Sequence, residues 1–384
     1  MHFDVVVIGG GPAGSAAAIT ARRANLSVAL IDKAAFPRDK LCGGLVSGRG
    51  RRVLAELFGS PDSRADFLAA RHVCFTFGGE VLAEFDAPRD LHFTMRRDFD
   101  HHLLRHAVAA GAEVFEGARL ATIEPEQNLV TGDPGRLSYG VLIGADGVNS
   151  QVGRSLFGRA FDPARIGFAL ETEVTDSPPL PPVMQIDFRA VDWGYGWAFP
   201  KRHGRTIGLG GLHCENPDMQ ARMQAMLNAS GVDPAAARIK GHFIPFGDFR
   251  AHPGRGNILL AGDAAGLVDP LTGEGIAHAL DSGRLAAGAA ARAIAAQQTG
   301  QALGYYRRSL APLHDELSRS VRLRRYAFSP GLETRFKARL QHSPELRLAF
   351  FDLLDGLSTY RALERRFARH LLDPRRWLRR LFGR

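Results

Sequence analysis

Six residues near the start of the chain, Gly9-Gly10-Gly11-Pro12-Ala13-Gly14, carry the spacing G-x-G-x-x-G directly after the apolar run Val5-Val6-Val7-Ile8. Gly9 permits a tight turn, Gly11 lets the backbone approach a pyrophosphate, and Gly14 lets a helix pack closely on the strand before it. The helix start then offers free N–H groups and partial positive charge to phosphate oxygens. Asp32 closes the next apolar run, Ser27–Ile31. An acid there can accept hydrogen bonds from a ribose, and it argues against a 2′-phosphate at this site. Farther along, Tyr195, Trp197 and Phe199 alternate with small residues, so they share one face of a strand. That face reads either as a groove for an apolar chain or as ordinary core. Cys42, beside Gly43-Gly44, could serve as a general acid, or be a small buried residue as free cysteines usually are.

These residues need elements to hold them. Asp4–Ile8, a helix over Pro12–Ala24 and Ser27–Ile31 form one βαβ unit of about 30 residues. A helix is expected near Arg51–Phe58, and His72–Phe77 with Glu80–Phe85 reads as a hairpin about Gly78-Gly79. Helical periodicity returns over Phe99–Ala110 and stops at Gly111, with strands at Glu113–Phe115, Leu120–Glu124 and Gly140–Ile143. From Phe168 to Gly211 the pattern is mostly strand, broken by prolines at 178, 179, 181 and 182. Ile258–Ala261 reads as a buried strand, Gly275–Ala296 as a long helix, and the chain beyond Gln301 as helical. The βαβ-type pieces lie at the start, in the middle and late. They predict a discontinuous nucleotide-binding domain (1–71, 96–160 and 253–300), a β-sheet substrate domain (72–95 and 161–252) and a C-terminal helical region (301–384).

Later segments are more specific. Ile258-Leu259-Leu260-Ala261-Gly262-Asp263-Ala264-Ala265 resembles the second fingerprint of flavoproteins, in which a strand ends at Gly-Asp and the aspartate binds the ribityl chain. Gly144-Ala145-Asp146-Gly147-Val148-Asn149-Ser150 resembles the Asp-Gly motif of the p-hydroxybenzoate hydroxylase group, and Arg96 matches that group's early helix arginine. Asp269-Pro270-Leu271-Thr272-Gly273-Glu274-Gly275-Ile276 leads into the long helix, whose dipole can face the edge of a reduced flavin. Glu274 reads either as a catalytic acid or, in better keeping with its place, as a cap on that turn. Lys40-Leu41-Cys42-Gly43-Gly44-Leu45 and Gly194-Tyr195-Gly196-Trp197-Ala198-Phe199-Pro200-Lys201, followed by Ile207-Gly208-Leu209-Gly210, are similar to the geranylgeranyl reductase family. Its members carry a Cys-Gly pair near the flavin and a Tyr-x-Trp-x-Phe-Pro motif. The resemblance spans roughly residues 1–310.

That resemblance implies an α/β fold: a Rossmann-like FAD-binding domain of the glutathione reductase and p-hydroxybenzoate hydroxylase type, an inserted mainly antiparallel β-sheet, and C-terminal helices. It implies FAD contacts at Gly9, Gly11, Ala13, Gly14, Asp32, Lys33, Cys42, Gly43, Leu45, Arg96, Leu120, Asp146, Asp263, Gly275 and Ile276. Substrate contacts fall on Tyr195, Trp197, Phe199 and Pro200, with Cys42 the candidate catalytic residue beside the flavin. The implied reaction is reduction of C=C bonds in a hydrophobic, isoprenoid substrate. With one dinucleotide fingerprint present, electrons are expected from transiently bound NAD(P)H or from a donor protein. Because one architecture hosts several chemistries, three rivals stand: an FAD monooxygenase acting on an aromatic or carrier-bound substrate, a flavin-dependent halogenase, and an electron-transfer flavoprotein.

Composition narrows the class. The chain has 384 residues, 45% hydrophobic and 23% charged, which excludes a disordered, collagen-like or disulfide-scaffold protein. No run reaches the ~18 apolar residues of a membrane span; Leu285–Ala296 comes nearest and is interrupted by Arg292. Cys42, Cys74 and Cys214 show no paired or metal-ligand spacing, and no targeting leader is evident, so a reducing, cytoplasmic setting without a metal is expected. The net charge of +9 is uneven: nine arginines against Glu364 and Asp373 place +7 in residues 361–384. Phe367, Leu371, Leu372, Trp377, Leu378, Leu381 and Phe382 interleave with those arginines, which suits an amphipathic helix at the inner face of a membrane better than a nucleic-acid arm. A solvated helix packed on the body is the other reading.

Overall fold

The β-branched run in β1 (His2–Ile8) has Val5, Val6 and Val7 fully buried, as a central parallel strand covered on both faces requires. The structure, a computed structural model, describes residues 1–59, 67–175, 180–329 and 331–371, the last five of these by backbone alone. In chain order β1 is followed by α1 (Pro12–Arg23), β2 (Val28–Asp32), β3 (Leu45–Val46), α2 (Gly48–Phe58), β4 (Leu68–Phe77), β5 (Glu80–Phe93) and α3 (Arg96–Ala109). Next come β6 (Glu113–Glu116), β7 (Leu120–Glu124), β8 (Leu129–Gly132), β9 (Gly135–Gly144), α4 (Gln151–Phe157), β10 (Gly167–Val174), β11 (Val183–Asp187), β12 (Tyr195–Lys201) and β13 (Gly204–Leu212). The chain continues through α5 (Met219–Ala229), β14 (Lys240–Ile244), β15 (Gly254–Arg255), β16 (Ile258–Leu260) and α6 (Ile276–Ala295). Helices α7 (Ala302–Phe328), α8 (Glu333–His342), α9 (Pro344–Leu354) and α10 (Tyr360–Leu371) close it.

Two sheets organise these pieces. The first has the order β15-β16-β9-β1-β2-β6; β16, β9, β1, β2 and β6 run parallel, and β8 joins the edge of β9 with β7 beyond it. α1 packs between α3 and α6 over this sheet. The second sheet has the order β14-β10-β13-β12-β11-β4-β5-β3 and is antiparallel except where β4 meets β11. The architecture is therefore the expected α/β type with an inserted, mainly antiparallel sheet.

The division between the two sheets differs from that expected in one place. β3 and the start of β4 at Leu68 already belong to the second sheet, so its material begins before residue 72. The C-terminal helices pack on both sheets. α7 packs on α6, where Tyr306 is fully buried and donates to the Leu260 carbonyl (3.0 Å). α9 lays Phe351 parallel to Phe75 of β4, ring centroids 6.4 Å apart.

No helix among the described residues is long and apolar enough to cross a membrane. The basic tail divides. Leu363 of α10 is buried, Glu364 pairs with Arg319 and Arg322 of α7 and Arg361 with Asp315 (3.1 Å), so this first turn packs on the body while Arg365 and Arg366 face solvent. Leu372, Trp377, Leu378, Leu381 and Phe382 lie outside the described residues, as do prolines 178 and 179.

Candidate active site

A cavity of about 480 Å³ runs between the C-terminal ends of the parallel strands and the inner face of the second sheet. Its wall brings together Gly9, Gly11, Ala13, Asp32, Lys33, Cys42, Gly43, Leu45, Arg96, Leu120, Asp146, Asp263, Gly275 and Ile276 from one side. Tyr195, Trp197 and Phe199 face them from β12. Two expected residues lie off the wall. Gly14 is one: a Cβ there would sit 1.7 Å from the Gly9 carbonyl oxygen, so its bare backbone serves helix–strand packing. Pro200 is also off the wall, because strand alternation puts it on the face of Gly196 and Ala198, and Ala198 packs into the cluster around Met223 of α5.

The phosphate end is built by backbone geometry. Gly9 turns at φ +104°, where a side chain would be strained and its Cβ would meet the Ala145 oxygen at 2.3 Å. This frees the chain to enter α1, whose N-terminus has no side-chain cap and keeps its amides available. Asp32 accepts the N–H groups of Gly10 (2.7 Å) and Ala34 (2.8 Å), fixing the turn from the end of β2. Asp100 of α3, fully buried, takes both Nε and Nη2 of Arg96 (2.7 and 2.8 Å) and also Nη2 of Arg38 (3.0 Å). Burial alone would lower Arg96, but Asp100 and Cys42 hold it above the ordinary guanidinium range. Arg38 Nη1 is buried without a hydrogen-bond partner among the described residues, and Arg38 lines the cavity beside Gly11. A buried cationic donor left open next to an uncapped helix start is what a pyrophosphate would complete.

Two acids prove to be caps. Asp146 accepts from Ser150 Oγ and the Gln151 N–H (each 2.6 Å) and from the Val152 N–H (3.2 Å), so its carboxylate closes the start of α4 and shapes the wall by holding the loop. Glu274 accepts the Ala277 N–H (2.9 Å), the capping role its position suggested.

At the other end, Gly43 presents bare backbone to the aromatic strand: a Cβ would lie 2.7 Å from the Phe199 ring. The Cys42 thiol sits on the wall and accepts the Gly44 N–H (3.4 Å). Tyr195 donates to the Thr272 carbonyl (2.8 Å) in the loop before α6, and burial pushes its phenol up. Met184, Ile186, Phe350 and Leu354 extend the apolar wall, the last two from α9. Lys40 donates to His242 Nε2 (2.6 Å). Burial, then Lys40, pushes His242 down to about 4, and burial also lowers Lys40. Arg38 and Lys40 carried a signal, since they flank the Cys-Gly-Gly turn; His242 and the α9 residues had none.

The uncapped helix start, the open Arg38 donor and the bare glycines at both ends of the cavity fit a bound FAD. Comparison with known proteins agrees. The family model described as FAD dependent oxidoreductase matches residues 4–127. A geranylgeranyl diphosphate reductase of Rhodobacter capsulatus is 35% identical over 311 residues, covering 76% of this chain and 75% of the relative. A menaquinone reductase of Mycobacterium tuberculosis is 33% identical over 312 residues, covering 74% and 75%. A geranylgeranyl bacteriochlorophyll reductase-like protein from Thermoplasma acidophilum superposes with a TM-score of 0.77 at 21% identity, covering 91% of this chain and 96% of that one. The chain belongs to the geranylgeranyl reductase family of FAD-dependent oxidoreductases.

Proposed function

We propose that this enzyme reduces isolated C=C bonds in the isoprenoid chain of a hydrophobic substrate. The observation that carries the reading is the continuity of the cofactor cradle with an apolar wall formed by Tyr195, Trp197, Phe199, Met184, Ile186, Phe350 and Leu354. Such a wall suits a chain that offers no polar handles. When bound, reduced FAD supplies hydride to one alkene carbon, and it is reduced again by NAD(P)H or a donor protein. The chain's own residues do the rest. Arg38 and the start of α1 hold the phosphates. The aromatic face orients the alkene and excludes water. Cys42 gives its thiol proton to the neighbouring carbon and recovers one from water. The basic tail, residues 361–384, holds the enzyme at the bilayer surface where a prenyl lipid resides.

Anaerobic, pre-reduced enzyme mixed with geranylgeranyl diphosphate, with a prenylated quinone, or with oxygen alone tests the reading. Flavin reoxidation by a prenyl compound without oxygen, with a saturated product, is the expected result. An oxygenated or halogenated product, formed only with oxygen, would replace reduction by one of its rivals.

A further inference from the structure

Beneath the Cys42-Gly43-Gly44 turn lie two charged residues, Glu171 buried and Lys201 half-buried. Glu171, midway along β10 and 4% exposed, accepts the Cys42 N–H at Oε1 (2.9 Å) and the Trp197 indole N–H at Oε2 (3.2 Å). Lys201 closes β12 and donates its ammonium to the carbonyls of Gly43 (2.5 Å) and Thr94 (3.0 Å). The Thr94 N–H then reaches the Gly44 carbonyl (2.9 Å). The turn is gripped through an N–H on one side and a carbonyl on the other, by groups of opposite charge.

The second sheet makes this grip possible. Trp197, Phe199 and Lys201 share one face of β12. Glu171 lies two strands away, with β13 between, and Gly208 of β13 is in register with both Glu171 and Trp197. A Cβ at Gly208 would fall 2.5 Å from the Trp197 ring, so the glycine is what lets the indole lie across β13 and reach the carboxylate. One strand thus supplies the groove wall and half of the clamp.

We propose that Glu171 and Lys201 are positioning residues for the reducing step, gripping the 42–44 turn and setting where the Cys42 thiol meets the substrate. The inference rests on Cys42 as the proton source. Its electrostatics are consistent with it. Burial pushes the Glu171 carboxyl up against its bonds to Cys42 and Trp197 and the charge of Lys201, while Glu173 adds to the rise. Burial pushes Lys201 down, opposed by Cys42, Glu171 and Glu173. Arg96 of α3 also faces Cys42. Protonating Glu171 would convert an acceptor of two N–H groups into a carboxylic acid with a donor to place, and neutralising Lys201 would weaken its hold on two carbonyls. The clamp is complete only between these titrations.

The test uses holoenzyme carrying Cys74→Ser and Cys214→Ser, with Cys42 alkylated by iodoacetamide across pH 6–10, and single-turnover reoxidation by geranylgeranyl diphosphate across the same range. Glu171→Gln is expected to speed alkylation and Lys201→Met to slow it, each about tenfold, because they remove opposite charges beside one thiol. Each variant should also lose one limb of the single-turnover pH profile, acid for Glu171 and alkaline for Lys201. Trp197→Phe covers the case in which a clamp variant does not fold: losing a bond to the carboxylate should move the acid limb to higher pH, which mere loosening would not do. Unchanged limbs and alkylation in these variants, with Cys42→Ala still slow in turnover, overturn the clamp. A Cys42→Ala enzyme as fast as its parent overturns the proton role of Cys42 and the positioning inference with it.

Discussion

The phenol of Tyr360, on α10, donates to the buried carboxylate of Asp269 across 3.0 Å. The same oxygen takes Ser320 Oγ of α7 (2.8 Å) and the N–H groups of Leu271 and Thr272 (each 2.9 Å). The Thr272 carbonyl in turn receives Tyr195. A C-terminal helix is thereby tied through one carboxylate to the loop before α6 and to the aromatic strand.

Tyr360→Phe removes one bond from this junction and leaves Asp269 its other partners, so the stability cost is about 1 kcal/mol. Faster FAD release is expected to accompany a small drop in melting temperature. Thermal unfolding and fluorescence of released FAD measure both, and a variant that keeps the parental release rate would cut the link between α10 and the cofactor loop.

Gly9 and Gly11 stand in one motif but answer to different constraints. Gly9→Ala meets the Ala145 oxygen at 2.3 Å in a left-handed backbone conformation, so the chain is expected to fold poorly or not at all. At Gly11 a Cβ would lie 3.5 Å from Arg38 Nη2, an ordinary contact. Gly11→Ala should therefore melt like the parent apoprotein and yet fail to retain FAD, because the methyl fills the phosphate approach. Circular dichroism separates folding from cofactor loss.

Arg38→Met deletes the open cationic donor while Asp100 keeps both of its bonds from Arg96. A hydrogen bond to a charged group contributes about 1.5–3 kcal/mol, so FAD affinity should fall by about 10- to 100-fold, with little change in apoprotein stability. Equilibrium dialysis of FAD reads the effect, and an unaltered affinity would remove Arg38 from the phosphate site.

What the sequence disclosed, and what it hid, follows from the range of each interaction. The turn at Gly9, the place of Asp32 at the end of β2 and the shared face of Tyr195, Trp197 and Phe199 are local patterns, readable from spacing. Pro200 lies on the face opposite the cavity, because a motif names neighbours in sequence whereas alternation sends adjacent residues to opposite faces. Glu171 meets Cys42 and Trp197 across 129 and 26 residues and has no motif of its own. The α9 side chains that complete the groove come from a region resembling no known motif. Long-range partners of this kind become visible only when the sheets are assembled.

Acid stability provides the last prediction. His278 of α6 is buried, and burial holds its imidazole below the ordinary range, with Arg49 also opposing protonation. His242, pushed down to about 4, behaves alike. A group whose value is depressed by folding contributes stability that is present above the unfolded value, near 6.5 for histidine, and lost as pH falls through the folded value. The share of stability contributed by His278 and His242 is therefore expected to be constant above pH 7 and to be lost between about 6.5 and 4, while the raised carboxyl of Glu171 works in the opposite sense over the acid range. His278→Gln cannot take up that proton, so the acid slope should become shallower while the melting temperature at pH 8 falls modestly. A slope as steep as the parent's would mean that His278 already carries its proton in the folded protein, beside Arg49.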